Sequence, residues 1–188
     1  MARGARQLSA DSLGVAMQSA VTIRAERPGD VGAIGGIIGS AFSGMPYADG
    51  DEADLVEVLR ARDALSVSLV AEREGTIVGY VAISPARTPD GALGWYALGP
   101  LAVLPSHQRC GIGSALVHAG LEAISELGAS GCILTGDPAY YPRFGFELSP
   151  QNAPPGESAE FFMVKLLRGQ LPVGPIRFHE AFGGERSG

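Results

Sequence analysis

Leu101-Ala102-Val103-Leu104-Pro105-Ser106-His107-Gln108-Arg109-Cys110-Gly111-Ile112-Gly113-Ser114-Ala115-Leu116 is the stretch that decides how this chain is read. An apolar run ends at Pro105, a polar loop follows, and Gly111-x-Gly113 opens a segment with helical spacing. The first turn of a helix leaves backbone N–H groups unpaired and carries positive partial charge. Glycines at that point let a phosphate reach the backbone with no Cβ in the way. Gln108, Arg109, Cys110, Gly111, Ile112, Gly113 and Ser114 therefore form a candidate pyrophosphate cradle, to which Arg109 adds a fixed positive charge. A dinucleotide fingerprint needs a third glycine at position 116, which is leucine. A Walker-type loop needs Gly-Lys-Ser/Thr, and the chain has no such run. Gly-x-Gly by itself leaves open an ordinary glycine-rich helix start.

Working outward, Val21-Thr22-Ile23-Arg24 alternates and reads as a strand. Asp30 is placed to cap a helix running to Phe42, with Ile34, Ile37, Ile38 and Phe42 on one face. Gly32, Gly35, Gly36 and Gly39 make that helix weak by propensity, which points to close packing or to movement. Residues 43–50 read as a loop, and Glu52–Arg62 as a helix with Leu55, Val58 and Leu59 inward. Ser66–Arg73 and Thr76–Pro85 form a hairpin about Glu74-Gly75. Ala92–Val103 is a further strand, interrupted at Gly99-Pro100, where proline has no N–H to give a ladder. Gly111–Leu127 reads as a helix with Leu116, Ala119, Ile124 and Leu127 inward. Then come a buried strand at Gly131–Gly136, a helical turn or short helix at Asp137–Arg143, a strand entered at Phe144-Gly145-Phe146, a Pro/Gly-rich loop at 151–157, a strand at Glu160–Leu166, and a last short strand at Ile176–Phe178. This order predicts an α/β (α+β) domain, a mixed sheet with helices on both faces.

The chain has 188 residues, 46% hydrophobic and 18% charged, with a formal net charge of −6. That composition fits one globular domain, which we place at 21–182, with a loose extension at 1–20 and a frayed end at 183–188. Met17 is an alternative start. No run approaches the ~18 apolar residues of a membrane-spanning helix. An acidic chain lacks the basic face that nucleic acid requires, and leans instead toward cationic small molecules. Cys110 and Cys132 make no disulfide framework, and His107, His118 and His179 show no metal-ligand spacing. The expectation is a cytoplasmic protein with no metal, no nucleic acid and no membrane partner.

A second pattern lies downstream, at Tyr141-Pro142-Arg143-Phe144-Gly145-Phe146. With Gln108-Arg109-Cys110-Gly111-Ile112-Gly113 it resembles, in order and distance, the paired signatures of the GNAT N-acetyltransferases, Q/R-x-x-G-x-G/A and Y-x-x-x-G-F. The resemblance covers about Val21 to Leu166. The run Gly136–Phe146 and the end Arg177–Phe182 are similar to the YhbS-like group of predicted acetyltransferases. The resemblance implies a GNAT-like acyl-CoA N-acyltransferase fold. Its central sheet is mostly antiparallel and splays at the cofactor strand. Acetyl-CoA is the implied cosubstrate, its pyrophosphate on the cradle and its pantetheine arm along Leu101, Ala102 and Val103. A backbone N–H near Leu101 would meet the thioester carbonyl. The second substrate would be an amine, held together with the first, so that attack is direct. Homodimers are common in such families.

By the same resemblance Tyr141 is the general acid for the leaving thiolate, and Tyr140 is the neighbour that takes the role if the short helix turns differently. Both are open to a packing role. Many relatives carry a glutamate on the cofactor strand, but here Trp95–Leu101 has no carboxylate. Asp137 is the candidate general base, and equally an N-cap before Pro138. Asp49, Asp51, Glu52 and Asp54 either hold a cationic substrate or dress a solvated helix start. Trp95, Phe42, Met45 and Tyr47 are candidate acceptor-pocket residues or core. His107 reads as a loop residue, and Cys110 and Cys132 receive no role. Acceptor choice is expected in loops 43–50 and 150–158. The contrasting function is a module that binds an acyl-CoA without turning it over.

Overall fold

A computed structural model describes residues 20–45 and 50–183. The expectations for residues 1–19, for Tyr47 and Asp49, and for 184–188 lie outside the described residues. The chain order is β1 (Thr22–Ala25), α1 (Val31–Phe42), α2 (Glu52–Ala61), β2 (Val67–Arg73), β3 (Thr76–Pro85), β4 (Trp95–Val103), α3 (Ile112–Glu126), β5 (Gly131–Thr135), β6 (Glu147–Leu148) and β7 (Phe162–Leu166). They build one seven-stranded sheet in the order β1-β2-β3-β4-β5-β7-β6. Only β4 and β5 run parallel; the other neighbours are antiparallel. No described helix is long and apolar enough to cross a membrane.

The pleat of the central hairpin assigns the two faces. Val70, Tyr80 and Ala82 point one way, into a cluster with Ile34, Ile37, Ile38 and Ala41 of α1 and Val56 of α2. Their neighbours Ala71, Val81 and Ile83 point the other way, against Leu116, Val117, Leu121 and Ile124 of α3. The hairpin turn matches the sequence reading. Glu74 and Gly75 both have positive φ, 52° and 76°, the geometry that joins tightly twisted strands.

Several expectations need correction. Asp30 stands at the start of α1 but makes no side-chain cap. Its carboxylate instead accepts from the Arg24 guanidinium (2.6 Å) and from the Arg27 N–H (2.7 Å). With Arg24 also on the second oxygen (3.2 Å), both carboxylate oxygens are held by groups that precede Asp30, turned away from the first turn of α1. Cβ atoms built on Gly32, Gly35, Gly36 and Gly39 meet nothing within 4 Å, so close packing does not explain the glycines of α1. Val58 is exposed while Val56 is buried, and Leu127 is 57% exposed because α3 ends one residue before it. Val117, Gly120 and Leu121 face the core with Leu116 and Ile124, and Ala119 is half-buried. β4 starts at Trp95 rather than Ala92. Of the helical turn or short helix expected at Asp137–Arg143, the structure has the turn, a 3-10 turn at Tyr141–Phe144. Ile176–Phe178 contributes only an isolated bridge, Arg177 to Arg87, two residues past the end of β3.

Candidate active site at the strand splay

β4 and β5 pair over three residues only, Trp95–Ala97 with Gly131–Ile133. Beyond that point β4 continues to Val103 against β3, and β5 continues to Thr135 against β7. The two strands part, and a gap opens between them. At the closed end the Trp95 ring lies over Gly131, where a Cβ would be 2.4 Å from the indole. Pro100 sits just past the divergence with no N–H to donate. The pairing of β4 with β3 also shifts register, between Val81 and Ile83.

Which backbone groups face the gap follows from alternation. The Leu104 N–H donates to Val78 O on β3 (2.9 Å). Backbone direction alternates along a strand, so Ala102 also faces β3, while Leu101 and Val103 face the gap. The Gln108 side chain agrees: its Nε2 reaches back to the Val103 carbonyl at 3.1 Å. Ala102 is 1% exposed, its methyl against α1. It lines the gap with neither backbone nor side chain, unlike Leu101 and Val103.

The loop after β4 is shaped by three backbone features. A 3-10 turn at Pro105–His107 reverses the chain, and Arg109 (φ 59°) and Gly111 (φ 81°) both take the left-handed conformation. α3 then begins at Ile112, whose side chain is buried, so this residue offers only its N–H outward. Arg109 and Cys110 are exposed, and the Cys110 thiol leans on the Gln108 carbonyl (3.4 Å). His107 is half-buried, with its Nδ1 2.9 Å from Ser106 Oγ.

Across from this helix start stand the two tyrosines. The Tyr140 hydroxyl is 2.9 Å from where a Cβ on Gly113 would be. Its ring carries the Arg143 guanidinium at 4.6 Å, and Arg143 Nε donates to the Tyr140 carbonyl (2.8 Å). Tyr141 presses on Gly136 just past β5, where a Cβ would be 2.4 Å from its ring. It packs edge-on to Phe146 and to Tyr140, with ring centroids 6.0 and 5.0 Å away. Both tyrosines are half-buried. Asp137 is exposed; its Oδ1 accepts from the Ala139 N–H (2.8 Å), and its carbonyl accepts from the N–H groups of Tyr140 and Tyr141. Asp137 thus organises the turn that carries both rings.

Trp95 is 3% exposed in a core cluster with Ala97, Ile133 and Phe162; the cleft of about 520 Å³ that it borders is shared with Pro89, Ser130 and Arg168, beside the closed end of the splay rather than the gap. Phe42 and Met45 do line a cleft of about 270 Å³, together with Ile38, Glu52 and Ala53. Asp51 precedes α2, and Glu52 and Asp54 lie in its first turn, where they complement the helix dipole. Cys132 is fully buried, and burial pushes its thiol up to about 12. Sequence reasoning missed one carboxylate of the site region. Thr135 Oγ1 donates to Glu157 Oε2 at 2.9 Å. No spacing signal marks a pair 22 residues apart, although the loop containing Glu157 is among those expected to choose the acceptor.

Comparison with known proteins agrees with this geometry. Residues 64–148 match a model described as an acetyltransferase (GNAT) domain. The chain is 35% identical over 167 residues to the Escherichia coli K12 protein named uncharacterized N-acetyltransferase YhbS, covering 85% of this chain and 97% of that one. A crystal structure of a GNAT family acetyltransferase from Brucella melitensis in complex with acetyl-CoA superposes with a TM-score of 0.78 at 38% identity, covering 87% and 99% of the two chains. The crystal structure of Escherichia coli YhbS in complex with CoA superposes with a TM-score of 0.80 at 33% identity, covering 90% and 94%. A sheet that parts between its two parallel strands, a helix start opened by glycine beside it, and relatives alike over nearly their whole length all lead to the same assignment: the chain belongs to the GNAT family of acetyltransferases.

Proposed function

We propose that this chain takes the acetyl group from acetyl-CoA and passes it to a primary amine by direct attack, with both substrates held at once. The observation that carries the reading is one continuous path. β4 leaves β5 after Ala97, and the loop that follows Val103 leads to the helix start at Gly111–Gly113. The residues fit such a cosubstrate. The Leu101 and Val103 backbones offer the free edge that an extended pantetheine arm needs. A side chain at position 113 would crowd the cradle. Arg109 places an exposed cation at its rim. Two similar proteins of known structure were crystallised with acetyl-CoA and with CoA.

The chain's own groups then divide the work. The Leu101 N–H faces the gap and stabilises the oxyanion that develops on the thioester carbonyl. Gln108 holds the Val103 carbonyl and so fixes the cradle to the strand. The N–H groups of Gly111, Ile112, Gly113 and Ser114 receive the pyrophosphate. Tyr141, fixed by Gly136 and Phe146, protonates the departing thiolate, whose thiol pKa is roughly 8.5 by analogy with cysteine. Asp137 is the carboxylate nearest Tyr141 along the chain; with one oxygen on the Ala139 N–H, it has the other for the amine's proton. The lack of a carboxylate on β4 also favours a second reading, an acyl-CoA-binding module without turnover.

A thermal melt tests the first step. Acetyl-CoA at about 100 times its dissociation constant adds ~2.7 kcal/mol of stability. That corresponds to a rise of roughly 2–4 °C per kcal/mol for a chain of this size. Acetyl-CoA and CoA are expected to raise the midpoint, and ATP is not. No rise with saturating acetyl-CoA removes both readings. Turnover with an amine panel then separates the enzyme from the binding module.

A further inference from the structure

The Thr135–Glu157 pair lies on a particular face of the sheet. On β5, Cys132 and Leu134 point into the cluster under α3, and Ile133 points to the opposite side with Ala97 and Phe162. Thr135 follows Ile133 by two residues and so shares its side. Ala82 of β3 packs against α1, and Ala86, an even number of residues on and just past the end of β3, joins the cluster of Ala97 and Ile133, so this is also the face that carries α1 and α2. Thr135 is exposed there, two residues beyond the last β5 residue paired with β4.

The loop that brings Glu157 to this point is held by its own backbone. The Glu157 N–H donates to Pro154 O (3.1 Å), the Phe161 N–H to Ser158 O (2.9 Å), and the Gly136 N–H to Phe161 O (3.0 Å). One carboxylate oxygen of Glu157 takes the Thr135 hydroxyl. Its other oxygen bonds to none of the described residues, and Glu157 makes no ion pair with any of them. β4 supplies no carboxylate to the gap, and Asp137 spends an oxygen on the Ala139 N–H.

We propose that Glu157, fixed by Thr135 on the open face of the strand splay, binds a cationic group that the acceptor carries beside its attacking amine. The proposal rests on the transferase reading and narrows it to acceptors of at least two positive charges, a diamine being the simplest. The net charge of −6 steers such molecules inward. One solvent-accessible ion pair contributes at most about a fivefold preference, and salt screens it.

The test is calorimetry at low ionic strength on the full chain loaded with CoA. The titrants are butane-1,4-diamine, butylamine and 4-aminobutanoate. The diamine is expected to bind about fivefold more tightly than butylamine, and 4-aminobutanoate more weakly than either. Glu157→Gln should erase the difference between the two amines. Thr135→Val, which keeps the shape and removes the hydroxyl, should narrow it. CoA affinity and melting midpoint should stay unchanged in both variants, because neither residue touches the cradle or the core. No binding of the diamine, equal binding of diamine and butylamine to the unaltered chain, or a preference retained in Glu157→Gln overturns the proposal while the transferase reading stands. Failure of the unaltered chain to bind CoA removes the transferase reading and this inference together.

Discussion

The hydroxyl of Tyr140 stands against the bare Cα of Gly113, 2.9 Å from where a Cβ would be built, while the ring carbon bearing that hydroxyl is 4.0 Å away. The second glycine of the cradle is therefore reserved by a side chain 27 residues on, as well as by any phosphate. Gly113→Ala is expected to displace Tyr140 and to weaken CoA binding. Tyr140→Phe removes the clashing oxygen and leaves ordinary contact, so Gly113→Ala in a Tyr140→Phe background should cost less than in the unaltered chain. The double-mutant cycle, read as CoA affinity, checks this. Strictly additive effects would show that the two residues are not coupled.

Tyr141→Phe separates chemistry from packing. The ring contacts with Gly136 and Phe146 survive, so the melting midpoint and the CoA affinity should hold. Loss of a general acid lowers turnover by about 10²-fold or more. A variant that turns over acetyl-CoA at the full rate would move the role to Tyr140 or to water.

Gly131→Ala strikes the closed end of the splay. The new methyl would lie 2.4 Å from the Trp95 ring, and that ring is packed among Ala97, Ile133 and Phe162. Overpacking of this kind costs typically 1–3 kcal/mol. A fall in urea midpoint with unchanged m-value is expected. An unaltered midpoint would mean that the indole has room to move.

Tyr80 makes stability depend on alkaline pH. The ring is fully buried, and burial raises its phenol from the usual 10 to about 12, opposed by the hydrogen bond to Ser68 (2.9 Å). A folded-state value above the unfolded one means that the contribution is complete below pH 10 and is lost as pH rises toward 12. Tyr80→Phe should lose about 1 kcal/mol at neutral pH, the worth of one hydrogen bond. It should also flatten the decline above pH 10. Urea titrations of both proteins between pH 8 and 12 measure the two slopes.

Much of this protein is written locally. The Glu74-Gly75 turn needs two positive φ angles, and β3 from Thr76 to Pro85 follows from the apolar, β-branched run beside it. The start of α3 at Gly111–Gly113 is legible because phosphate-accessible helix starts need residues without Cβ at fixed short spacing. Tyr141-x-x-x-Gly145-Phe146 carries the family signal in the same way. These features depend on backbone torsions within a few residues, which side-chain identity controls directly.

The remainder was decided by neighbours that only folding supplies. Asp30 reads as a helix cap until β1 brings Arg24 beside it. Trp95 reads as pocket lining or core until parallel pairing sets it on Gly131. Ala102 and Leu101 are adjacent letters, yet one faces β3 and the other the gap, and which does which follows from strand register. Glu157 gains a position only because β7 returns along β5 and draws its loop to Thr135. Sequence alone determined the torsions and the periodicities, because these are local energies. Tertiary structure decided which charges and rings meet, because that depends on the order of strands in the sheet and on the point where two of them part.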